Sequence, residues 1–240
     1  MKTLIGLIIA IAVIAGGYYY FVQPSQENGV MEKEHDAMMM EDGSVPSAGT
    51  YTVVSEESRV DWTAAKPLIA GYVHHGTIAV SDGTITIGEN TASGSFTIDM
   101  SSVKVTSLGG GKEGQESQLE NHLKADDFFG VETYPTASFV ITGVVPTATE
   151  NEYTLTGDLT LKDTTQSVSF PAHIYEKDGK VFATAEFSID RTQWGITFGS
   201  SSVFSSLAEN AIGDDVTLSL HLVAQGDTAM MVDDGSMEEN

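Results

Sequence analysis

A chain of 240 residues has room for one sizeable core or two small ones, and its 11 basic against 34 acidic side chains give a formal net charge of -23. That excess excludes recognition of nucleic acid, or of an anionic membrane surface, through charge, because no basic patch is available to neutralise phosphates. The absence of cysteine excludes disulfides, thiolate metal sites, a Cys nucleophile and a lipid-modified N-terminal Cys.

The first segment, residues 1–22, is apolar. Thr3 to Val22 carries no charge, and about 20 such residues span a bilayer as a helix. Lys2 favours a cytoplasmic start, and Tyr18, Tyr19, Tyr20 and Phe21 close the span like an interfacial aromatic belt. A cleaved signal peptide is the competing reading, with Val13-Ile14-Ala15 before a cut at Gly16. The run continues past that point into aromatics, which favours an uncleaved transmembrane anchor. Either reading exports the rest of the chain to the periplasm or the extracellular space.

Residues 23–49 read as a disordered acidic linker, with Pro24, Gly29, Gly43, Pro46 and Gly49 and no periodic apolar face. The segment is rich in methionine (Met31, Met38, Met39, Met40), and the acidic tail 226–240 repeats the theme with Met230, Met231 and Met237. Thioether sulfur suits Cu(I), with His35 and carboxylates as helpers, so metal handling at the surface is one functional alternative. The plainer reading is a solvated, oxidisable low-complexity tail.

From residue 50 to 225 the pattern changes to short alternating runs with turn residues between them, the mark of antiparallel strands with one buried face. Strands are expected at Tyr51–Val54, Arg59–Ala65, Tyr72–Val80, Thr84–Ile87 and Ser93–Met100, with Asp82-Gly83 as a hairpin turn. Residues 106–117 read as a polar loop. Gly109-Gly110-Gly111-Lys112-Glu113-Gly114 matches G-x-G-x-x-G in form only, since no βαβ unit surrounds it. A short helix over Gln115–Lys124 follows, then Asp126 and Asp127 placed to cap a turn through Phe128-Phe129. Tyr134-Pro135 leads the chain into a strand through Ala137, Phe139 and Ile141. Strands over Glu152–Leu161, Ser167–Tyr175, Lys180–Ile189 and Asp215–Ala224 complete the set, with Asp178-Gly179 as a turn and a long loop from Asp190 to Gly213. A sandwich and a closed barrel both fit; the absence of a free edge in a barrel favours it.

No enzymatic constellation emerges. The six histidines, His35, His74, His75, His122, His173 and His221, form no recognised metal spacing. His74 and His75 are neighbours on a strand and point to opposite faces. There is no G-x-S-x-G elbow. Ser200, Ser201, Ser202, Ser205 and Ser206 are a loop cluster, and Asp190 with Arg191 reads as a turn or a structural ion pair. The alternative to chemistry is a cavity: Trp62, Phe96, Phe139, Leu155, Phe170 and Phe187 are inward by pattern, and either fill a barrel or line one. A structural or adhesion domain with a packed core is the reading that follows if they fill it.

Several motifs carry a specific resemblance. His122-Leu123-Lys124-Ala125-Asp126-Asp127-Phe128-Phe129 followed by Tyr134-Pro135-Thr136-Ala137-Ser138-Phe139, then Gly157-Asp158-Leu159-Thr160-Leu161-Lys162-Asp163, then Ile189-Asp190-Arg191-Thr192-Gln193-Trp194-Gly195, resemble in order the signatures of the YceI-like family of bacterial polyisoprenoid-binding proteins. His75-Gly76-Thr77-Ile78 and Phe96-Thr97-Ile98-Asp99-Met100 are similar to two further family elements. Asp163 replaces a usual Gly, and Lys66-Pro67 replaces an F-x-x-x-H pattern, which places the chain in a divergent branch.

The resemblance implies an all-β, lipocalin-like antiparallel barrel of about eight strands with one or two short helices, in addition to the N-terminal transmembrane helix. It implies non-enzymatic, non-covalent binding of an isoprenoid or quinone-type lipid, with no cofactor. The lining it suggests is Trp62, Phe96, Ile98, Phe128, Phe129, Phe139, Leu155, Phe170, Phe187 and Trp194, with His75, His122 and Arg191 as a polar rim.

Overall fold

A sheet strand that is apolar at every second residue can bury one face only, and closing the sheet on itself is the arrangement that leaves no edge. The computed structural model, which describes residues 43–89, 91–111, 114–204, 207 and 210–226, takes that solution. Nine strand segments form: β1 (Gly49–Val53), β2 (Arg59–Ala65), β3 (Val73–Ile87), β4 (Ala92–Leu108), β5 (Thr136–Pro146), β6 (Glu152–Leu161), β7 (Thr164–Lys177), β8 (Lys180–Asp190) and β9 (Asp215–Gly226). All pairings between them are antiparallel, each strand pairs with the next from β2 to β9, and the β2–β9 pairing closes the ring. One helix, α1 (Glu116–Lys124), interrupts the meander between β4 and β5.

The nine segments occupy eight positions, because β1 and β2 are one broken stave. Both lie between β3 and β9: Thr52 faces Thr84 and Gln225, and Trp62 faces Gly76 and Leu218. A 3-10 turn at Ser55–Glu57 makes the break. Buried Ser58 bridges it, donating from Oγ to the Val54 carbonyl at 2.8 Å and accepting the Val223 N–H at 3.0 Å.

Alternation sets the interior. On β6 the inward set is Leu155, Gly157, Leu159 and Leu161, all buried between partly exposed or exposed neighbours. Gly157 belongs to that set because the Phe139 ring lies where its side chain would be: an added Cβ would meet Phe139 Cζ at 2.2 Å.

Three expectations from the sequence are corrected. Asp82-Gly83 does not turn the chain. Both residues lie inside β3, a single 15-residue strand that absorbs register shifts at His75/Gly76, Thr77/Ala79 and Val80/Asp82. Pairing with β4, which puts Gly83 opposite Phe96, overrides the local turn preference. The loop expected from residue 106 begins only after Leu108, where β4 ends. Residues 43–48, assigned by composition to the linker, are held against β7: Ser44 and Glu176 exchange backbone hydrogen bonds of 3.0 and 2.7 Å, and the Ser47 N–H donates to Glu176 Oε2 at 2.7 Å. The turn at Asp178-Gly179 is as expected, with φ of 53° and 73°.

The apolar segment 1–22, the Met-rich linker through residue 42 with His35, and the tail from residue 227 lie outside the described residues. Among the described residues no helix is long and apolar enough to cross a membrane, and no group of three or more His, Asp or Glu side chains could hold a metal ion.

Candidate functional site

The barrel interior is divided along its axis. Toward the pole where β1 begins and β9 ends, aromatic rings fill it. Phe96 and Phe139 lie with centroids 5.4 Å apart, Phe139 and Phe170 at 5.8 Å, and Phe170 and Phe187 stack at 3.9 Å. Toward the other pole the staves enclose a cavity of about 320 Å³, at the small end of ligand-sized pockets. Its walls are apolar inward positions of β2 (Val60, Trp62, Ala64), β3 (Ile78), β4 (Ile98, Met100), β6 (Leu159, Leu161), β8 (Ile189) and β9 (Val216, Leu218).

The mouth is covered by non-strand segments. Helix α1 contributes Leu119 and Leu123, one turn apart on one face, and the turn after it contributes Phe128 and Phe129. Ile196, Phe198 and Ile212 come from the segment between β8 and β9. Glu120 fastens the helix to β4: its Oε1 accepts the Val105 N–H at 3.0 Å and its Oε2 lies 3.7 Å from Lys104 Nζ. Lys162, at the β6–β7 turn, donates from Nζ to the Asp126 and Phe128 carbonyls at 3.3 and 3.1 Å. His122, Phe128 and Phe198 form a ring cluster with centroid distances of 4.7 to 5.1 Å. Asp127 orients that histidine through a 2.9 Å contact between Oδ2 and Nε2, a role different from the expected cap.

A second, more open space of about 490 Å³ adjoins the cavity between α1 and the end of β4. Tyr72, His74, Leu119 and His122 border both spaces, and Gln115, Gln118, Gly110 and Gly111 complete this polar vestibule with Leu108.

Placement of the expected lining is thus split. Trp62, Ile98, Phe128 and Phe129 border the cavity, as do His122 and Arg191 from the expected rim. Phe96, Phe139, Leu155, Phe170 and Phe187 do not; they pack in the filled half. Trp194 is also off the wall, buried in the 3-10 turn Arg191–Trp194 with its indole N–H donated to the Leu159 carbonyl at 3.0 Å. His75 points away from the interior and meets Thr63 Oγ1 at 2.9 Å, while His74 takes the inward place. Alternation puts Ala64, Met100, Leu159, Leu161, Val216 and Leu218 on the core-facing sides of their strands, but nothing in it reports height along the barrel.

Arg191 is at the cavity yet spent on structure. Its guanidinium donates to the carbonyls of Gly213 (2.9 Å), Ile196 (2.7 Å) and Ile212 (3.3 Å), and reaches Asp214 Oδ1 at 3.4 Å. Its ion-pair partner is therefore Asp214, not Asp190; Asp190 caps the 3-10 turn through Thr192 N and Oγ1 at 2.9 and 2.6 Å. Lys66 extends over the Tyr72 ring at 4.7 Å. Burial holds the His74 imidazole below the ordinary histidine value of 6.5, and the nearby Lys66 charge adds to the shift.

A closed antiparallel meander with one packed pole and one hollow, covered pole is the architecture of a small β-barrel with an internal cavity. The chain belongs to the YceI-like family, whose model matches residues 51–224. A curated relative, a UPF0312 protein of Photorhabdus laumondii, is 32% identical over 101 residues, which cover 42% of this chain and 48% of that protein. The match thus spans about half the length of that relative. Among solved structures, Burkholderia cenocepacia BcnA superposes with a TM-score of 0.56 at 22% identity, covering 72% of this chain and 99% of BcnA. A polyisoprenoid-binding domain from Saccharophagus degradans superposes with a TM-score of 0.52 at 12% identity, covering 75% of this chain and all of that domain (100%). At these identities the two structures establish a shared fold.

Proposed function

We propose that the chain binds an isoprenoid lipid, a quinone or a polyprenyl chain, non-covalently within the cavity and without chemistry. The observation that carries this reading is the cavity's wall: aliphatic and aromatic side chains from six staves beneath a covered mouth. Each methylene transferred into such a space contributes about 0.8 kcal/mol, so a prenyl tail needs no charged contact to be retained. Family membership supports the reading, as does the polyisoprenoid binding named for the domain of similar fold. The proposal extends to location: the uncharged run from Thr3 to Val22 would export the barrel and anchor it to a membrane, the reservoir of such a ligand.

The test is mass spectrometry of an organic extract of the purified full-length chain. A stoichiometric prenyl lipid is expected. Repeated extracts without one, together with no uptake of added prenylated quinone, would sink the proposal.

A further inference from the structure

Exposed apolar side chains are not spread evenly over the barrel. Among the described residues seven large ones are exposed, and four of them sit at the covered pole: Leu68 (65%), Phe198 (40%), Val203 (50%) and Phe204 (48%). They come from two segments, the β2–β3 turn and the connection from β8 to β9, which meet through residues 212 and 213. The Ile212 N–H donates to the Gly199 carbonyl and the Gly213 N–H to the Ala65 carbonyl, both at 2.8 Å. Pro67 Cδ lies 3.9 Å from the place a Cβ would take on Gly213. The Phe204 N–H donates to the Ser200 carbonyl at 2.9 Å, which holds Val203 and Phe204 in a turn.

Continuity, charge and size decide what this patch fits. Phe198 is exposed and also borders the cavity, so apolar surface continues from the outside to the hydrocarbon wall within. Residues 66–81 and 195–204 contain no Asp or Glu, in a chain with 34 acidic side chains, so no carboxylate on these segments opposes a lipid phosphate. Four half-exposed side chains offer on the order of 400 Å². A stable protein interface buries about 800 Å² of each partner, roughly twice that. Separate protrusions of this size suit a fluid surface, which closes around each one, better than a rigid partner.

We propose that the covered pole docks on a lipid bilayer, with Leu68, Phe198, Val203 and Phe204 inserted at the boundary of head groups and acyl chains. A tail then passes between bilayer and cavity without crossing water. Apolar burial rather than charge holds the contact, so zwitterionic lipid suffices. This inference rests on the lipid-binding reading above, and the experiment reads docking and uptake apart.

The chain has no cysteine, so a single introduced one carries a dye to a chosen place. Val203→Cys at the covered pole is matched by Val145→Cys on β5, toward the filled pole and 62% exposed. Each full-length variant, labelled with an environment-sensitive dye, is reconstituted in phosphatidylcholine vesicles containing nitroxide-labelled phosphatidylcholine. Loss of fluorescence is expected at position 203 and not at 145. The double variant Leu68→Ser, Phe204→Ser changes exposed side chains that do not border the cavity. It is expected to take up prenylated benzoquinone from the vesicles at least about tenfold more slowly, with the amount bound from detergent solution unchanged. Equal quenching at both positions, or none at 203, overturns docking by this pole. So does a 203 label that is shielded without vesicles in proportion to protein concentration, which assigns the patch to a second copy. An unchanged uptake rate in the double variant overturns the role of these side chains. Quenching at 203 with no quinone taken up from either source keeps docking and removes the lipid-binding reading.

Discussion

Gly76 stands opposite Trp62 in the β2–β3 ladder, and the indole occupies the place a side chain would take. A Cβ there would come within 1.9 Å of the Lys104 carbonyl oxygen and 2.4 Å of the Trp62 ring. The carbonyl is backbone and cannot swing aside, so Gly76→Ala is expected to cost at least the upper part of the ~1–3 kcal/mol typical of overpacking. Urea titration should show a lower midpoint with an unchanged slope. His74, two residues earlier on the same face, makes stability depend on pH. Its folded pKa lies below 6.5, lowered by desolvation first and the Lys66 charge second, with the Val73 carbonyl opposing. His75 is lowered in the same direction by desolvation. Below pH 6.5 the unfolded chain therefore binds more protons than the folded one. Stability that is fully present above 6.5 is lost as pH falls through the folded values. His74→Gln should flatten the dependence of the urea midpoint on pH below 6.5, and an unchanged dependence would show that His74 is not its source.

At the scale of elements, the strands were legible and their heights were not. Period-2 alternation places Val60, Trp62 and Ala64, or Leu155, Leu159 and Leu161, on one face whether the barrel around them is full or hollow. What separates Leu155, in the filled half, from Leu161, on the cavity wall, is stagger between staves, and stagger is set by pairings far apart in sequence. The adjacent pair His74-His75 shows the same limit: adjacency requires opposite faces, and only the pairing of His75 with Thr63 decides which faces out. Asp82-Gly83 shows the converse, a strong local turn signal silenced by a strand partner. The family motifs fared better because each fixes a local contact, as Gly157 does beneath Phe139.

The segment between β8 and β9 depends on one residue. Arg191 holds Ile196, Ile212 and Gly213 by their carbonyls, and those residues bring Phe198 and Ile212 to the mouth. Arg191→Met should cost about 2–4 kcal/mol, since hydrogen bonds to a charged group are lost and buried carbonyls are left unpaired. Arg191→Lys should recover little, because a single ammonium cannot serve four acceptors spread along a fork. Thermal melts of both variants, with protease cleavage mapped between residues 196 and 214, check the assignment.

The molecule as a whole separates stability from capacity along its axis. The filled pole also carries the chain ends of the described fold, since Ser44 pairs with Glu176 and Gly226 with Tyr51. Two substitutions should respond in opposite ways. Leu155→Ala, in the packed half, removes methyl groups from a close-packed site and should cost about 2–5 kcal/mol, read as a fall in the urea midpoint. Lipid recovered from whatever protein remains folded should be unchanged, because Leu155 does not border the cavity. Ala64→Phe, on the cavity wall, adds a ring where space already exists. It should leave the empty chain's stability unchanged or higher and abolish lipid retention. The paired measurement is the urea midpoint of delipidated protein against lipid recovered per mole of folded chain. If Ala64→Phe destabilised the empty barrel as much as Leu155→Ala while lipid retention persisted, the hollow pole would be a second piece of packed core rather than a site, and the division of labour along the axis would fall.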